Sequence, residues 1–498
     1  MLGFNMETRR INELVNIAAR TRIDDVKFLE LEVEKFISSP KRKWAIDGDL
    51  YYDYEQAIQN KQRWVIGRDG IMTVDEHLPN NRFIDNKYGD MVDQKVNYML
   101  SKPLTFKTEN EQYAEALKKV FNKSFHRMLK NCGKDSYNGA VGWVHPYYNE
   151  QGELKFKKFH PWEILPFWKD DEHSELDFAV RVYDVETYEG DKEKILTFVD
   201  VYDTNGIHKF EYKDGKLIPD YSTYYFEMPD TEGTLIPYNW ERVPLIAFKA
   251  NNTETSLLKK CKSLQDGINY VLSSFGDGMQ ENASGNSILI IKNYGGTDLG
   301  EFRQNLAQYK AVKVRTVDGA DGGIDKLEIE VNCENYKAIL QELRKALIHN
   351  CKGYDVEELK SAGSPNEMTI KSIFSGIDLD ANELETEYQA SFEQLLWFVN
   401  MHLKNTGNGD FTNEEVDVIF NRDMMVNESQ IITDIANSAD LSKKTRIAMH
   451  PWVNDADAEL EQIKKEQEEN MEQFGNAFVQ KPITDESEED GGMSGEEE

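Results

Sequence analysis

Three aspartates, Asp318, Asp321 and Asp325, lie close together in the run DGADGGID. Clustered carboxylate oxygens are what a hard cation such as calcium takes as ligands. Their spacing is not that of an EF-hand loop, and the interleaved glycines read instead as a turn. The nine histidines are scattered, with none paired to another at a metal-ligand spacing. There is no GxxxxGK[ST] phosphate loop, no GxSxG elbow and no HExxH. GINYVLSSFGDG and NYGGTDLG are glycine-bearing but are not GxGxxG. With 90 acidic side chains in the chain, a pair of neighbouring carboxylates carries no message about acid–base catalysis. No catalytic residue, metal ligand or cofactor site is assigned, and the expectation is a protein that is not an enzyme. Basic clusters remain at 41–43 (KRK), at Lys259, Lys260 and Lys262, at Lys310, Lys313 and Arg315, and at Lys443, Lys444 and Arg446. Each reads first as a solvated face and second as a phosphate contact.

The 498 residues suggest about three domains. A net charge of −32 argues against a protein that coats DNA, because phosphate binding needs a cationic surface. Hydrophobic residues at 39% supply real cores. No apolar run approaches the roughly 18 residues that span a bilayer, and MLGFNMETRR has no signal-peptide core. Cys132, Cys261, Cys333 and Cys351 form no CxxC, so buried reduced thiols and an intracellular origin are expected.

The elements that would position any site alternate in period. Helical spacing covers about 6–38, with Pro40 as a break, and residues 44–85 are aromatic and loop-rich. Helices are predicted at 88–101 and 109–131. From 137 to 250 the period changes to two, predicting a mostly antiparallel sheet. Leu257, Cys261, Leu264, Ile268, Val271, Phe275 and Met279 then form one apolar stripe over 256–281, a helix of roughly 38 Å at about 1.5 Å per residue. Gly267, Gly276 and Gly278 inside it suggest a fraying last turn. A small α/β insert fills 282–332. A second helix at 333–351 carries Tyr336, Ile339, Leu340, Leu343 and Leu347 on one face. The segment 352–367 breaks the helix, a very long helix runs over 368–405, and a short strand follows. Helices fill 427–473, and the tail from 474, ending TDESEEDGGMSGEEE, is expected to be disordered. The fold class is α+β, with a long helical hairpin carrying a small α/β tip. The two stripes are read as packing partly between subunits.

Four runs carry a resemblance: MVDQKVNYMLSKP at 91–103, FHPWEILPFW at 159–168, VPLIAFKANN at 243–252 and LSKKTRIAMHPWVNDADAELEQI at 441–463. In this order, with the hairpin, the insert and the acidic tail, the chain over about 25–470 resembles the portal proteins of tailed double-stranded DNA bacteriophages, the type of long-tailed phages and prophages of Gram-positive bacteria. The first run is similar to the family pattern D-x-K-x-x-Y-x-x-G-K-P, with Ser101 in place of glycine.

The resemblance implies a twelve-fold homo-oligomeric ring around a channel through which DNA is packaged and ejected, located at the portal vertex of the virion capsid after assembly in the host cytoplasm. It implies an N-terminal arm (1–24), a wing (25–255 and 368–426) and two stem helices (256–281 and 333–351). It also implies a clip (282–332), a tunnel loop (352–367), crown helices (427–473) and an acidic tail (474–498). Intersubunit stem packing would fall to Leu264, Ile268, Val271, Phe275, Ile339, Leu340, Leu343 and Leu347. The loop residues Lys352, Tyr354, Asp355, Glu357, Glu358 and Lys360 would meet the DNA. Lys310, Lys313 and Arg315 would face partners on the clip. Those partners would be the terminase large subunit, which would supply ATP hydrolysis, and a head-completion or adaptor protein. Major capsid and scaffolding proteins complete the set, with no cofactor and no membrane. The readings set beside this one are a non-channel minor capsid or scaffold component and an acidic metal-dependent nuclease.

Overall fold

The first helix ends at Ile37, ahead of the break expected at Pro40, and Ser39 and Pro40 also begin a second helix. The Ser39 hydroxyl accepts the Arg42 N–H at 3.2 Å and Pro40 occupies the first turn, where its missing N–H costs nothing. Helix α1 (Val26–Ile37) therefore turns directly into α2 (Pro40–Tyr52), and the loop-rich reading holds only beyond it. The computed structural model describes residues 26–66, 70–75, 78–229, 233–283, 288–292, 323–327, 333–357, 367–422, 428–438, 440–450, 452–453 and 456–477. The arm at 1–24, most of the 282–332 insert with Lys310, Lys313 and Arg315, the loop residues Glu358 and Lys360, and the tail beyond 477 lie outside them. The chain forms two units, 1–363 with 371–424, and 364–370 with 425–498.

In the first unit a hairpin of β1 (Trp64–Ile66) and β2 (Met72–Val74) precedes α3 (Lys87–Leu100) and β3 (Thr105–Lys107). The helix expected over 109–131 is two, α4 (Glu111–Val120) and α5 (Lys123–Gly139). Asn122 divides them, because its side chain accepts the N–H groups of Ser124 and Phe125 and so caps a new start. The antiparallel sheet region follows as β4 (Val141–Tyr148), β5 (Leu154–Phe159), β6 (Ile164–Trp168), β7 (Leu176–Glu189), β8 (Lys192–Asp203), β9 (Gly206–Lys213) and β10 (Lys216–Thr223). It closes with β11 (Phe226–Pro229), β12 (Leu235–Tyr238) and β13 (Ile246–Lys249). Strands 6 to 10 form one five-stranded sheet, and β13-β4-β5 a second of three. Leu29, Val33 and Phe36 of α1 close the core over Phe178, Val180 and Val199 of the larger sheet. Trp143 and Phe159 of the smaller sheet share a core with Trp168, Ala179 and Tyr202 of the larger.

Next come α6 (Leu257–Ala283), the paired strands β14 (Ile288–Lys292) and β15 (Gly323–Leu327), α7 (Cys333–Asn350) and the 39-residue α8 (Glu367–Asn405). Strand β16 (Asp417–Ile419) returns to pair with β3. Phe392 and Tyr388 of α8 meet Phe248 of β13 edge-on at 5.6 and 5.0 Å. Cys132, Cys261 and Cys351 are buried as expected, but Cys333 is exposed at the start of α7. The second unit holds α9 (Glu428–Asn437), α10 (Lys443–Ala448) and α11 (Ala456–Ala477). Among the described residues no helix is long and apolar enough to cross a membrane.

The passage from β13 into α6 is tied to the sheet by one carboxylate. Glu254 accepts Lys41 Nζ at 2.7 Å and His173 Nδ1 at 2.5 Å, with Lys249 Nζ at 3.6 Å. Burial alone would raise the Glu254 carboxyl, but the His173 hydrogen bond and the Lys41 charge hold it well below the usual carboxylate range. A depressed folded value means that this contribution is full above the ordinary 4.5 and is lost as pH falls below it. Between about pH 5 and about pH 3, the melting temperature of Glu254→Gln is expected to fall less steeply than that of the parent chain. Equal slopes would contradict this role.

Candidate functional site

Helix α6 carries two stripes, and the more deeply buried one is polar. Gln265, Asn269, Ser273 and Asp277 recur every four residues on one face and are at most 3% exposed. Each accepts a backbone N–H from the stretch 81–88, which comprises the extended strap 81–86 and the first residues of α3. Gln265 Oε1 takes Tyr88 at 3.0 Å, Asn269 Oδ1 takes Asp85 at 2.9 Å, Ser273 Oγ takes Phe83 at 2.9 Å and Asp277 Oδ1 takes Asn81 at 2.6 Å. A segment without strand partners thus has its donors satisfied by a ladder of helix side chains. Gln265 Nε2 donates back to the Asp85 carbonyl at 2.8 Å, and Asn269 Nδ2 donates to Gln56 Oε1 at 2.5 Å. At the far end Lys61 Nζ lies 2.6 Å from Asp277, and Arg63 reaches Glu281 at 2.6 Å. Burial opposes the Asp277 charge, but Lys61 and the Asn81 N–H groups hold its carboxyl below the usual range. Gly276 does not fray the helix, which continues to Ala283. A Cβ there would stand 2.5 Å from the Phe83 ring, so the glycine makes room for the strap.

The apolar stripe closes largely on α7 of the same chain. Ile268 and Leu347 are fully buried and Leu340 is 9% exposed. Leu343 lies over Gly267, and Phe275 meets Tyr336 at 5.1 Å. Leu264, Val271, Phe275 and Leu343 are half-buried. Ile268, Leu340 and Leu347 of the eight stem residues are thus buried within the single chain. Ile339 is 53% exposed, and Tyr270 and Met279 stand open beside it in kind, at 60% and 47%. Arg344 of α7 grips the strap from its own side, with Nη2 2.7 Å and Nε 2.8 Å from Asp85.

The segment after α7 begins with a tight stop. Gly353 N–H bonds to the Ile348 carbonyl at 2.9 Å and Lys352 N–H to that of His349 at 3.0 Å, the paired bonds of a Schellman end. The left-handed residue is Lys352 (φ 53°), not a glycine. Gly353 is needed for closeness instead, since a Cβ there would lie 2.5 Å from Met91 Sδ on α3. Tyr354 is not a bulky side chain held out into space. Its N–H and carbonyl both bond to the Gln94 amide at 2.9 Å, and its ring stacks on Phe374 at 4.5 Å. Lys352 Nζ lies 3.5 Å from Glu383. Lys352 and Tyr354 of the loop thus contact the body of the same chain. Asp355 accepts the Glu357 N–H at 2.9 Å, and a helical turn starts at Val356.

Beneath this stop lies a buried charged node that the chain's pattern of hydrophobicity did not reveal. Lys95, fully buried on α3, pairs with Asp380 of α8 at 2.7 Å. Asp380 also accepts the Tyr137 hydroxyl at 2.8 Å, and Lys95 Nζ lies 3.5 Å from the Lys352 carbonyl. Burial lowers the Lys95 ammonium from its ordinary range, and Asp380 opposes that shift. Neighbouring residues of the 91–103 run tie α3 to α2, α5 and α8. Asp93 accepts the Tyr52 hydroxyl at 2.8 Å and Lys134 at 2.9 Å, and the Tyr98 hydroxyl donates to Asp378 of α8. What sets these positions apart in the sequence is only a lysine on the otherwise apolar face of α3. Among the described residues no group of three or more metal-ligating side chains converges. The arrangement offers a helical pair braced by the strap and joined to the body through the β13–α6 passage at one end and a short stop at the other.

Comparison with known proteins places this geometry. Residues 42–473 match the family described as phage portal protein, SPP1 Gp6-like. The chain is 27% identical over 489 residues to the portal protein of Bacillus phage SPP1, covering 97% of this chain and 95% of the relative. It is 26% identical over 448 residues to the portal protein of Clostridium phage phiCD119, covering 86% and 94%. Among solved structures, a chain of the neck of a native GTA particle, computed with C12 symmetry, is similar at a TM-score of 0.36 and 11% identity, covering 73% of this chain and 90% of that one.

Proposed function

The chain belongs to the phage portal protein family of the SPP1 Gp6-like type, and from that premise we propose that about twelve copies close into a cyclic ring whose bore conducts double-stranded DNA into and out of the phage head. The observation that carries the reading is the family match across 42–473, which takes in the braced α6–α7 pair and its stop. That pair is the stem of the proposed channel. The exposed Tyr270, Met279 and Ile339 are the apolar side chains left for contact with the next copy, with the half-buried Leu264, Val271, Phe275 and Leu343 at the seam. Residues 282–332 form the clip, where Lys310, Lys313 and Arg315 face the terminase large subunit and later a head-completion protein. Residues 427–473 form the crown toward the capsid interior, with major capsid and scaffolding proteins around the ring. The protein is then a virion component at the portal vertex.

An acidic chain suits such a bore. DNA carries one negative charge per about 1.7 Å, and a channel that held phosphates tightly would stall the strand. Repulsion acts only within about 10 Å at 0.1 M salt, which is the range of a close-fitting passage. In this reading Lys352 and Tyr354 fix the root of the tunnel loop, and Asp355, Glu357, Glu358 and Lys360 lie toward the DNA. Deletion of 356–361 is expected to leave rings and procapsids intact while reducing the yield of DNA-filled heads. Normal filling would remove the loop from the mechanism. Sedimentation velocity of the purified chain tests the assembly, with a boundary near twelve copies expected and a single 498-residue species contradicting it.

A further inference from the structure

A cavity of about 940 Å³ in the first unit has no place in the channel reading. It lies where α2, the 171–174 turn, the β13–α6 passage and α8 meet. Ser256, which immediately precedes the 27-residue α6, and His173 both line it. Ser256 is 4% exposed and its hydroxyl has no partner. The His173 side chain is nine-tenths buried, and its Nε2 has none either. Buried polar atoms are rarely left unpaired, so two in one cavity ask for a ligand. The backbone adds a second sign. His173 and Glu254 face each other, both in the left-handed region at φ 57° and 46°, a conformation that non-glycine residues seldom hold without a local reason.

Charge identifies the ligand's class. Glu254 is one carboxylate shared by Lys41, His173 and Lys249, which leaves positive charge in excess at the cavity floor. Lys259 on the first turn of α6 lines the wall, and the N-terminus of a long helix favours a negative group. Opposing charges are Asp171 and Glu172, exposed on the rim, and the half-buried Glu387, whose carboxyl burial raises toward the neutral form. His173 Nδ1 is engaged by Glu254, which leaves Nε2 as the ring nitrogen for a ligand, a donor when the ring carries both protons.

We propose that this cavity is an oxyanion-binding site, in which His173 Nε2 and Ser256 Oγ donate to a phosphate or carboxylate seated before the N-terminus of α6. The oxyanion comes either free from solution or as an acidic side chain of a second copy of the chain. The site rests on the cavity alone and stands apart from the channel reading.

The test titrates inorganic phosphate into the full chain against chloride at constant ionic strength, reading melting temperature and sedimentation together. A saturable rise in melting temperature is expected for the parent chain. It should be at least halved in Ser256→Ala and absent in His173→Gln, and unchanged in Lys118→Gln on remote α4. In chloride alone Ser256→Ala should melt no lower than the parent, because it removes a hydroxyl that has no partner. This keeps the test valid even if His173→Gln folds poorly. If the natural oxyanion is a neighbour's carboxylate, phosphate will also shift the assembly toward smaller species; if it is free, assembly will not change. Absence of a saturable response in the parent, or an equal response in Ser256→Ala, would overturn the site.

Discussion

Replacing Asp380 by alanine is expected to lower the unfolding free energy by about 3–5 kcal/mol, the cost of leaving a buried charge without its partner. Lys95 is fully buried, and after the change its ammonium keeps the Lys352 carbonyl at 3.5 Å and the Tyr137 ring at 5.6 Å but no countercharge among the described partners. The Tyr137 hydroxyl also loses its acceptor. Because burial already lowers the Lys95 value, the unfolded chain holds that proton more tightly than the folded one. The variant should therefore regain stability as pH rises toward the ordinary lysine value of 10.5. The double replacement Lys95→Met with Asp380→Leu removes both charges together and should cost far less than the single change. Urea denaturation of the three proteins decides it. If Asp380→Ala and the double variant lose equal stability, the pair is not what holds α3 to α8.

The second large effect falls on the polar ladder. Asn269→Leu keeps the volume of the side chain but orphans the Asp85 N–H and the Gln56 Oε1, at about 1–3 kcal/mol for each buried group. The strap 81–86 should loosen with it, so amide hydrogen exchange at Phe83 and Asp85 should accelerate while the strands of the large sheet keep their protection. Ser263→Ala, on the exposed side of the same helix, should change stability by no more than about 0.5 kcal/mol. An Asn269→Leu variant as stable as the parent would mean that α6 is held by its apolar stripe alone.

The ladder also marks where reading the chain without coordinates stops. Apolar residues at spacings of three and four reveal α6 and α7 and their pairing, because water excludes such a stripe wherever it finds a partner. Gln265, Asn269, Ser273 and Asp277 share a spacing of four, but polar residues on a helix ordinarily mean a solvated face. Their burial depends on a strap about 180 residues earlier in the chain, and periodicity within one helix carries no information about it. The same limit explains Tyr354. Glycines and a proline announced a bend after Asn350, and the bend is there, but the docking of Tyr354 depends on Gln94 and Phe374 from distant elements. The helix starts missed at Ser39 and Asn122 are of another kind. Ser39-Pro40 and Asn122 are helix-start signals written locally, and each was outweighed by the hydrophobic run around it. Lys95 was legible only through the resemblance of the 91–103 run, whose Lys95 and Tyr98 brace α3 against α8 while Asp93 ties α3 to Tyr52 of α2 and Lys134 of α5.

The central claim is that the α6–α7 pair is the stem of a ring around an open channel, and electron microscopy of the purified full-length chain tests it most directly. The account predicts annular particles with rotational symmetry and an open axial bore, with the α6–α7 pair bordering it and Ile339 at the contact between adjacent copies. Particles with no bore, or rings in which α6 and α7 lie on the outer rim, would contradict it.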